Sequence, residues 1–92
     1  MNTQQLVSFV LRAKNRIKTL RALEKSPKIP AQIMKETGMY KSHTSRALKE
    51  LKENNLIQCD NPNDRAYKFY TLTKAGKAIL KKAREIKKNI EE

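Results

Sequence analysis

The sequence predicts a mainly α-helical domain with a small β-hairpin just before its last helix and helical extensions at both ends. Three observations carry this. Apolar residues recur at helical spacing over most of the chain. The period turns strand-like only in Leu56-Ile57-Gln58-Cys59-Asp60 and Ala66-Tyr67-Lys68-Phe69-Tyr70-Thr71-Leu72, on either side of the turn-rich Asn61-Pro62-Asn63-Asp64-Arg65. Gly and Pro number only 2 and 3, so little of the chain is left for loops. With 92 residues the chain is expected to form one domain, 1–92, with a modest core, and is too short for two.

The elements follow in order. Leu6, Val7, Phe9, Val10 and Leu11 crowd the first segment more densely than one amphipathic face requires, so this short helix needs cover from more than one side. Ile17, Leu20 and Leu23 or Glu24 continue at helical spacing until Ser26-Pro27 ends the run. The two stretches form one bent helix or two, jointed at Lys14-Asn15-Arg16. Pro30 suits the first turn of a helix over 31–37, with Ile33, Met34 and Thr37 facing the core and Gly38 as its left-handed stop. Ile29 cannot accept the free amide hydrogens, so that helix is expected to be weakly capped. The next helix runs from about Lys41 to Asn54, closed by Asn55 in the left-handed conformation. Thr73 suits the N-cap of a last helix reaching the C-terminal end, with Gly76 weakening its first turn.

Charge narrows the partner class. Lys and Arg number 21 against 9 Asp and Glu, a formal net charge of +12. A solvated surface of the heat-tolerant kind mixes Glu and Lys in similar numbers, so the excess points to a polyanion, nucleic acid before acidic protein or membrane. A single cysteine, Cys59, excludes an intrachain disulfide and gives no second thiolate for a metal; it reads as a small buried or half-buried strand residue. The start lacks a secretory signal, and the longest apolar run falls far short of the roughly 20 residues of a membrane span, so a cytoplasmic location is expected. With one His, one Cys, no Gly-rich phosphate loop and no close carboxylate pair, no enzyme chemistry, metal site or cofactor is expected.

The segment 41–54 carries the sharpest signal. At about 100° per residue, Thr44, Leu48 and Leu51 share one side with Ala47 at its margin, while Ser42, Arg46 and Lys49 fall opposite, flanked by His43 and Ser45. One face can seat in a core while the other offers donors of several lengths to bases and phosphates. The hydroxyls, imidazole and guanidinium cluster in the N-terminal half, where a docked recognition helix meets base edges; Glu50 and Glu53 come later. Arg46 can fork onto guanine O6 and N7. Lys41, Ser42 and Lys49 are candidate phosphate anchors, and His43 is a donor to base or phosphate. Tyr67, Phe69 and Tyr70 could stack on single-stranded bases, but packing against the helices is the expected role. Ile79, Ala83, Ile86 and Ile90 recur at coiled-coil spacing in the last helix, amid Lys77, Lys81, Lys82, Arg84, Lys87 and Lys88; the stripe is either a satellite of the chain's own core or, as a helix projecting past so small a domain favours, a dimerisation seam.

Helix, helix-turn-helix, hairpin, helix is the order of a winged helix-turn-helix, with the helix-turn-helix at about 30–54, the wing at about 56–72 and the dimerisation helix at about 74–90. Over roughly residues 6–80 the chain resembles small archaeal winged-helix transcriptional regulators of the MarR and ArsR type. Val7-Ser8-Phe9-Val10-Leu11-Arg12-Ala13-Lys14-Asn15-Arg16-Ile17 resembles their lead-in. Ser42-His43-Thr44-Ser45-Arg46-Ala47-Leu48-Lys49-Glu50-Leu51 resembles their recognition helix, and Tyr70-Thr71-Leu72-Thr73-Lys74-Ala75-Gly76 the exit from their wing. Tyr40 stands where that family has a small N-cap hydroxyl, leaving its phenol to donate to a phosphate. Asp64-Arg65-Ala66 is similar to the Asp-x-Arg wing signature, with Ala66 in the arginine's place. The resemblance therefore implies backbone or minor-groove contact from Asn63, Arg65 and Lys68, with phosphate contact by Arg65 or Lys68 favoured. It also implies a homodimer through terminal helices, an inverted-repeat site in double-stranded DNA, and basal transcription factors as further partners. The alternative is an interaction module that docks on RNA or protein of the transcription or translation machinery. The metal-sensing ligands of some ArsR proteins are absent, and no distinctive effector-pocket residues are present.

Overall fold

Residues 1–91 of the backbone and 1–87 of the side chains are described by a computed structural model. Two helices open the chain, α1 (Thr3–Leu11) and α2 (Lys14–Glu24). Asn2 and Gln5 cap α1 reciprocally: each side-chain oxygen accepts the other's backbone N–H at 2.9 Å. Extended backbone at Ala13 (φ −135°, ψ 117°) separates the helices. The joint thus falls just before Lys14-Asn15-Arg16, which instead forms the first turn of α2. Crowding in α1 is resolved as expected: Val7 and Val10 are buried, while Leu6, Phe9 and Leu11 pack on the rim of the core.

Next come α3 (Pro30–Thr37) and α4 (Lys41–Glu53). The Ile29 N–H, which no side chain at that position could help, donates to Gln32 Oε1 at 3.0 Å, so α3 has half a cap. Only Ile33 of its three expected core residues is buried; Met34 and Thr37 are half-buried. Gly38 closes α3 at φ 75°, and buried Met39 pins the short turn into α4. Asn55 is left-handed at φ 59°.

Two short strands, β1 (Ile57–Cys59) and β2 (Tyr70–Leu72), pair antiparallel with Ile57 opposite Leu72 and Cys59 opposite Tyr70. Both are shorter than the sequence suggests, because residues 66–69 give up strand geometry to side-chain-capped turns. Tyr70 also exchanges both backbone hydrogen bonds with Lys28 (2.9 and 3.1 Å), which covers the other edge of β2. Finally α5 (Lys74–Glu91) starts at Thr73, whose hydroxyl accepts the Gly76 N–H at 3.0 Å.

Helix α2 is the centre of the molecule: α1, α3, α4, α5 and β2 all pack on it. Around it Val10, Leu20, Ile33, Leu51, Leu56, Ile57 and Leu80 are almost wholly buried. Each such aliphatic chain contributes about 1.5–3 kcal/mol, which is how a chain with few apolar residues holds its helices together. Thr19 and Thr44 sit in this core with their hydroxyls donated to the Asn15 and Tyr40 carbonyls, at 2.7 and 3.0 Å. The arrangement is a winged helix-turn-helix: α3 and α4 make the helix-turn-helix, and the hairpin makes the wing.

Two expectations are corrected by the packing. Tyr67 and Phe69 do not pack on the helices; they are 61% and 38% exposed, and only Tyr70 turns inward. The register gives the reason. Ile57, Cys59, Tyr70 and Leu72 share the inner face of the hairpin, so Phe69, one residue out of phase, falls on the outer face. Nor is the α5 seam one surface. Ile79 and Ala83 are buried in the core of their own chain, since α5 must lie along α1 and α2 to close it. Ile86 is 40% exposed, and the Ile90 side chain lies outside the described residues.

Candidate nucleic-acid interface

The inner stripe of α4, Thr44, Ala47, Leu48 and Leu51, is buried, and this fixes the helix's rotation. Tyr40, Lys41, Ser42, His43, Ser45, Arg46 and Lys49 are all exposed as a result. Ser42, Arg46 and Lys49 share the face diametrically opposite the core. Tyr40 and His43 meet edge to face on the surface, ring centroids 5.9 Å apart. No side chain caps α4 at Tyr40, so the first N–H groups of the helix lack a side-chain acceptor at its positive dipole end.

Arg16, which the sequence pattern marks only as part of a joint, adds a polar tie to the packing that seats α4. Its guanidinium lies 3.8 Å from the centroid of the Phe9 ring, donates to the Phe9 carbonyl at 2.5 Å, and forms an ion pair with Glu50. One side chain, 16% exposed, thereby ties α1 and α2 to α4. It also neutralises a carboxylate on the flank of the cationic face. Asn15, Arg16, His43 and Arg46 line one cleft between the start of α2 and α4. A signal for Arg16 exists in the sequence: it lies at helical spacing from buried Leu20 and Leu23, and a charge on a buried stripe needs a partner.

In the wing, Asn63, Arg65 and Lys68 are exposed. Asp64 does not orient an arginine; its carboxylate accepts the Ala66 and Tyr67 N–H groups at 2.8 and 2.9 Å. Those bonds, Tyr67 first, hold its pKa below the ordinary value. Asn61 staples the loop from the other side, donating to the Tyr67 carbonyl (2.6 Å) and accepting the Phe69 N–H (2.8 Å). In the sequence Asn61 stands out only as part of a polar tip, because its partners lie six and eight residues further on.

A groove between the terminal helices, lined by Gln5, Ser8, Phe9, Arg12 and Ile86 among others, runs beside what remains of the α5 seam. No described helix is long and apolar enough to cross a membrane.

The family described as the HVO_A0261 N-terminal domain matches residues 4–92. The HTH-type transcriptional regulator TcaR of Staphylococcus aureus is 37% identical over 71 residues, covering 74% of this chain and 47% of TcaR. The chain therefore spans about half the length of that relative. Among solved structures, a PadR family transcription regulator from Clostridium difficile R20291 aligns with a TM-score of 0.76 at 24% identity, over 86% of this chain and 92% of the other. The homodimeric winged helix-turn-helix DNA-binding domain of Mb0332 from Mycobacterium bovis aligns with a TM-score of 0.69 at 19% identity, over 97% and 79%. These likenesses agree with the winged helix-turn-helix fold.

Proposed function

The chain belongs to the HVO_A0261 N-terminal domain family, and from the geometry of α4 and the regulators among its relatives we propose that it is a sequence-specific double-stranded-DNA-binding transcriptional regulator. Helix α4 enters the major groove with Arg46 reading base edges and Lys41, Ser42 and Lys49 on phosphates, while the wing follows the adjacent backbone or minor groove. The observation that carries this reading is the wholly exposed, cationic and hydroxylated outer face of a helix whose inner face is locked in the core. It acts by binding, not by catalysis, as its regulator relatives do.

In this reading residues 1–92 work as one DNA-binding domain. Two copies pair along α1 and α5, supported by the groove beside half-exposed Ile86, and so present two recognition helices to an inverted-repeat site about one DNA turn apart. The homodimeric state of the Mb0332 domain supports the same arrangement. Such a dimer, in the cytoplasm, would act either by blocking polymerase or by recruiting basal transcription factors, and the archaeal reading rests on the lead-in from Val7 to Ile17. The interaction-module alternative has no observation in its favour.

Selection of a preferred duplex, followed by affinity measurements at several salt concentrations, tests the proposal. The preferred duplex is expected to bind roughly 10³-fold or more tighter than bulk DNA. Arg46→Ala erodes that preference, at about 1–3 kcal/mol of discrimination, whereas Lys49→Ala weakens all duplexes alike. Equal weakening by both variants would refute base reading by Arg46, and tighter binding to structured RNA than to any duplex would refute the regulator.

A further inference from the structure

The wing exposes two of the chain's five Phe and Tyr rings, Tyr67 at 61% and Phe69 at 38%, in a loop whose hydrogen bonds hold their backbone on the outer side. The Asp60 N–H donates to the Phe69 carbonyl at 2.8 Å, extending the ladder by one pair and fixing Phe69 on the outer face with Gln58 and Thr71. Asn61 and Asp64 set the backbone of Tyr67 from both sides. Holding rings in water is unfavourable unless something covers them.

The charges around the rings indicate what does. Both acids of the loop are turned onto protein donors: Asp64 onto the Ala66 and Tyr67 amides, and Asp60 onto the Thr71 hydroxyl at 2.9 Å. Arg65 and Lys68, two residues before and one after Tyr67, are exposed and take part in no ion pair among the described residues. Rings bracketed by cations that no carboxylate contacts among the described residues match a surface that alternates apolar and anionic groups at close spacing. The walls of a DNA groove do so, with a deoxyribose between successive phosphates; an acidic protein surface offers the charge without the regular apolar faces.

We propose that the wing docks on duplex DNA as a ring-and-cation clamp, with Tyr67 and Phe69 lying against deoxyribose faces at the edge of the minor groove and Arg65 and Lys68 on the flanking phosphates. This rests on the regulator reading above and adds to it. The wing's hold is then shared between ring contact and phosphate contact.

The test is binding of the preferred duplex across a salt series by wild type, Tyr67→Ala, Phe69→Ala, Tyr67→Phe and Arg65→Ala. Tyr67→Ala and Phe69→Ala should each weaken binding about tenfold, the size expected for burying most of one ring, with the slope of log affinity against log salt unchanged. Arg65→Ala should lower that slope by about one, and Tyr67→Phe should bind as wild type. Should Phe69→Ala fail to fold, Tyr67→Ala still decides, since its side chain is mostly in solvent. Alanine variants that bind as wild type, or that change the slope as Arg65→Ala does, would overturn the clamp. So would an equal loss on a single strand of the same sequence, since stacking on free bases would then explain it. Failure of the regulator reading looks different: wild type itself would show no preferred duplex.

Discussion

Gly38 and Gly76 are kept for opposite reasons. Gly38 has a left-handed backbone at φ 75° and open space around it, whereas a Cβ on Gly76 would stand 1.9 Å from the Leu56 carbonyl oxygen. Gly38→Ala is therefore expected to cost about 1 kcal/mol, through backbone conformation alone. Gly76→Ala must push α5 away from the root of the hairpin, at about 3 kcal/mol or more, and urea unfolding of both variants checks the order. The first glycine is legible in the sequence, because a helix must stop somewhere before the turn at 38–40. Gly76 is not: its reason is a carbonyl twenty residues away in sequence, and by local propensity alone it reads as a flaw in the first turn of α5.

At the scale of the element, α4 is the most legible part of the chain, since a single period of apolar residues determines both which face is seated and which is free. The wing is less so. A strand-like run shows that side chains alternate but not which set faces inward, and that phase comes from the pairing of Ile57 with Leu72. For the same reason local pattern cannot assign Phe69 to the outer face. In α5 the spacing of Ile79, Ala83 and Ile86 is plain, but whether such a stripe meets its own core or a second copy depends on where α1 and α2 lie. A two-pronged ion pair also links α5 to α2: Arg84 donates to both Glu24 oxygens, at 2.7 and 2.6 Å. The Arg84 hydrogen bond is the main cause that holds the Glu24 carboxyl below its ordinary value of 4.5. A carboxyl depressed in the folded state stabilises fully above its unfolded value and loses that contribution as pH falls through the folded one. Both side chains are more than 40% exposed, so the effect stays well under about 1 kcal/mol. Thermal unfolding between about pH 5 and 3 should show wild type losing slightly more stability than Arg84→Met, and identical pH profiles would remove the pair from the account.

For the whole molecule, the net charge of +12 is what points to a polyanionic partner, and composition needs no fold to be informative. Assembly is a different matter. If copies pair along α1 and α5, Ile86→Glu should leave the melting temperature nearly unchanged while shifting sedimentation equilibrium toward monomer, because Ile86 contributes little to its own core. Ile79→Glu, which buries a charge, should unfold the chain outright. A wild type that sediments as a monomer at all concentrations, with Ile86→Glu indistinguishable from it, would remove the dimer.

The hairpin is fastened to the rest of the molecule at its base. Thr73 donates its hydroxyl to the Asn55 carbonyl (2.7 Å) and its N–H to that of Leu56 (3.1 Å), while Tyr70 is clamped to Lys28. Mechanically this is a short cantilever: bending is suppressed at the support and accumulates toward residues 61–68, where only Asn61 and Asp64 brace the chain. Lengthening or shortening that overhang would change how far the arm reaches without asking anything of the support, so reach and rigidity can vary independently in a molecule of this size.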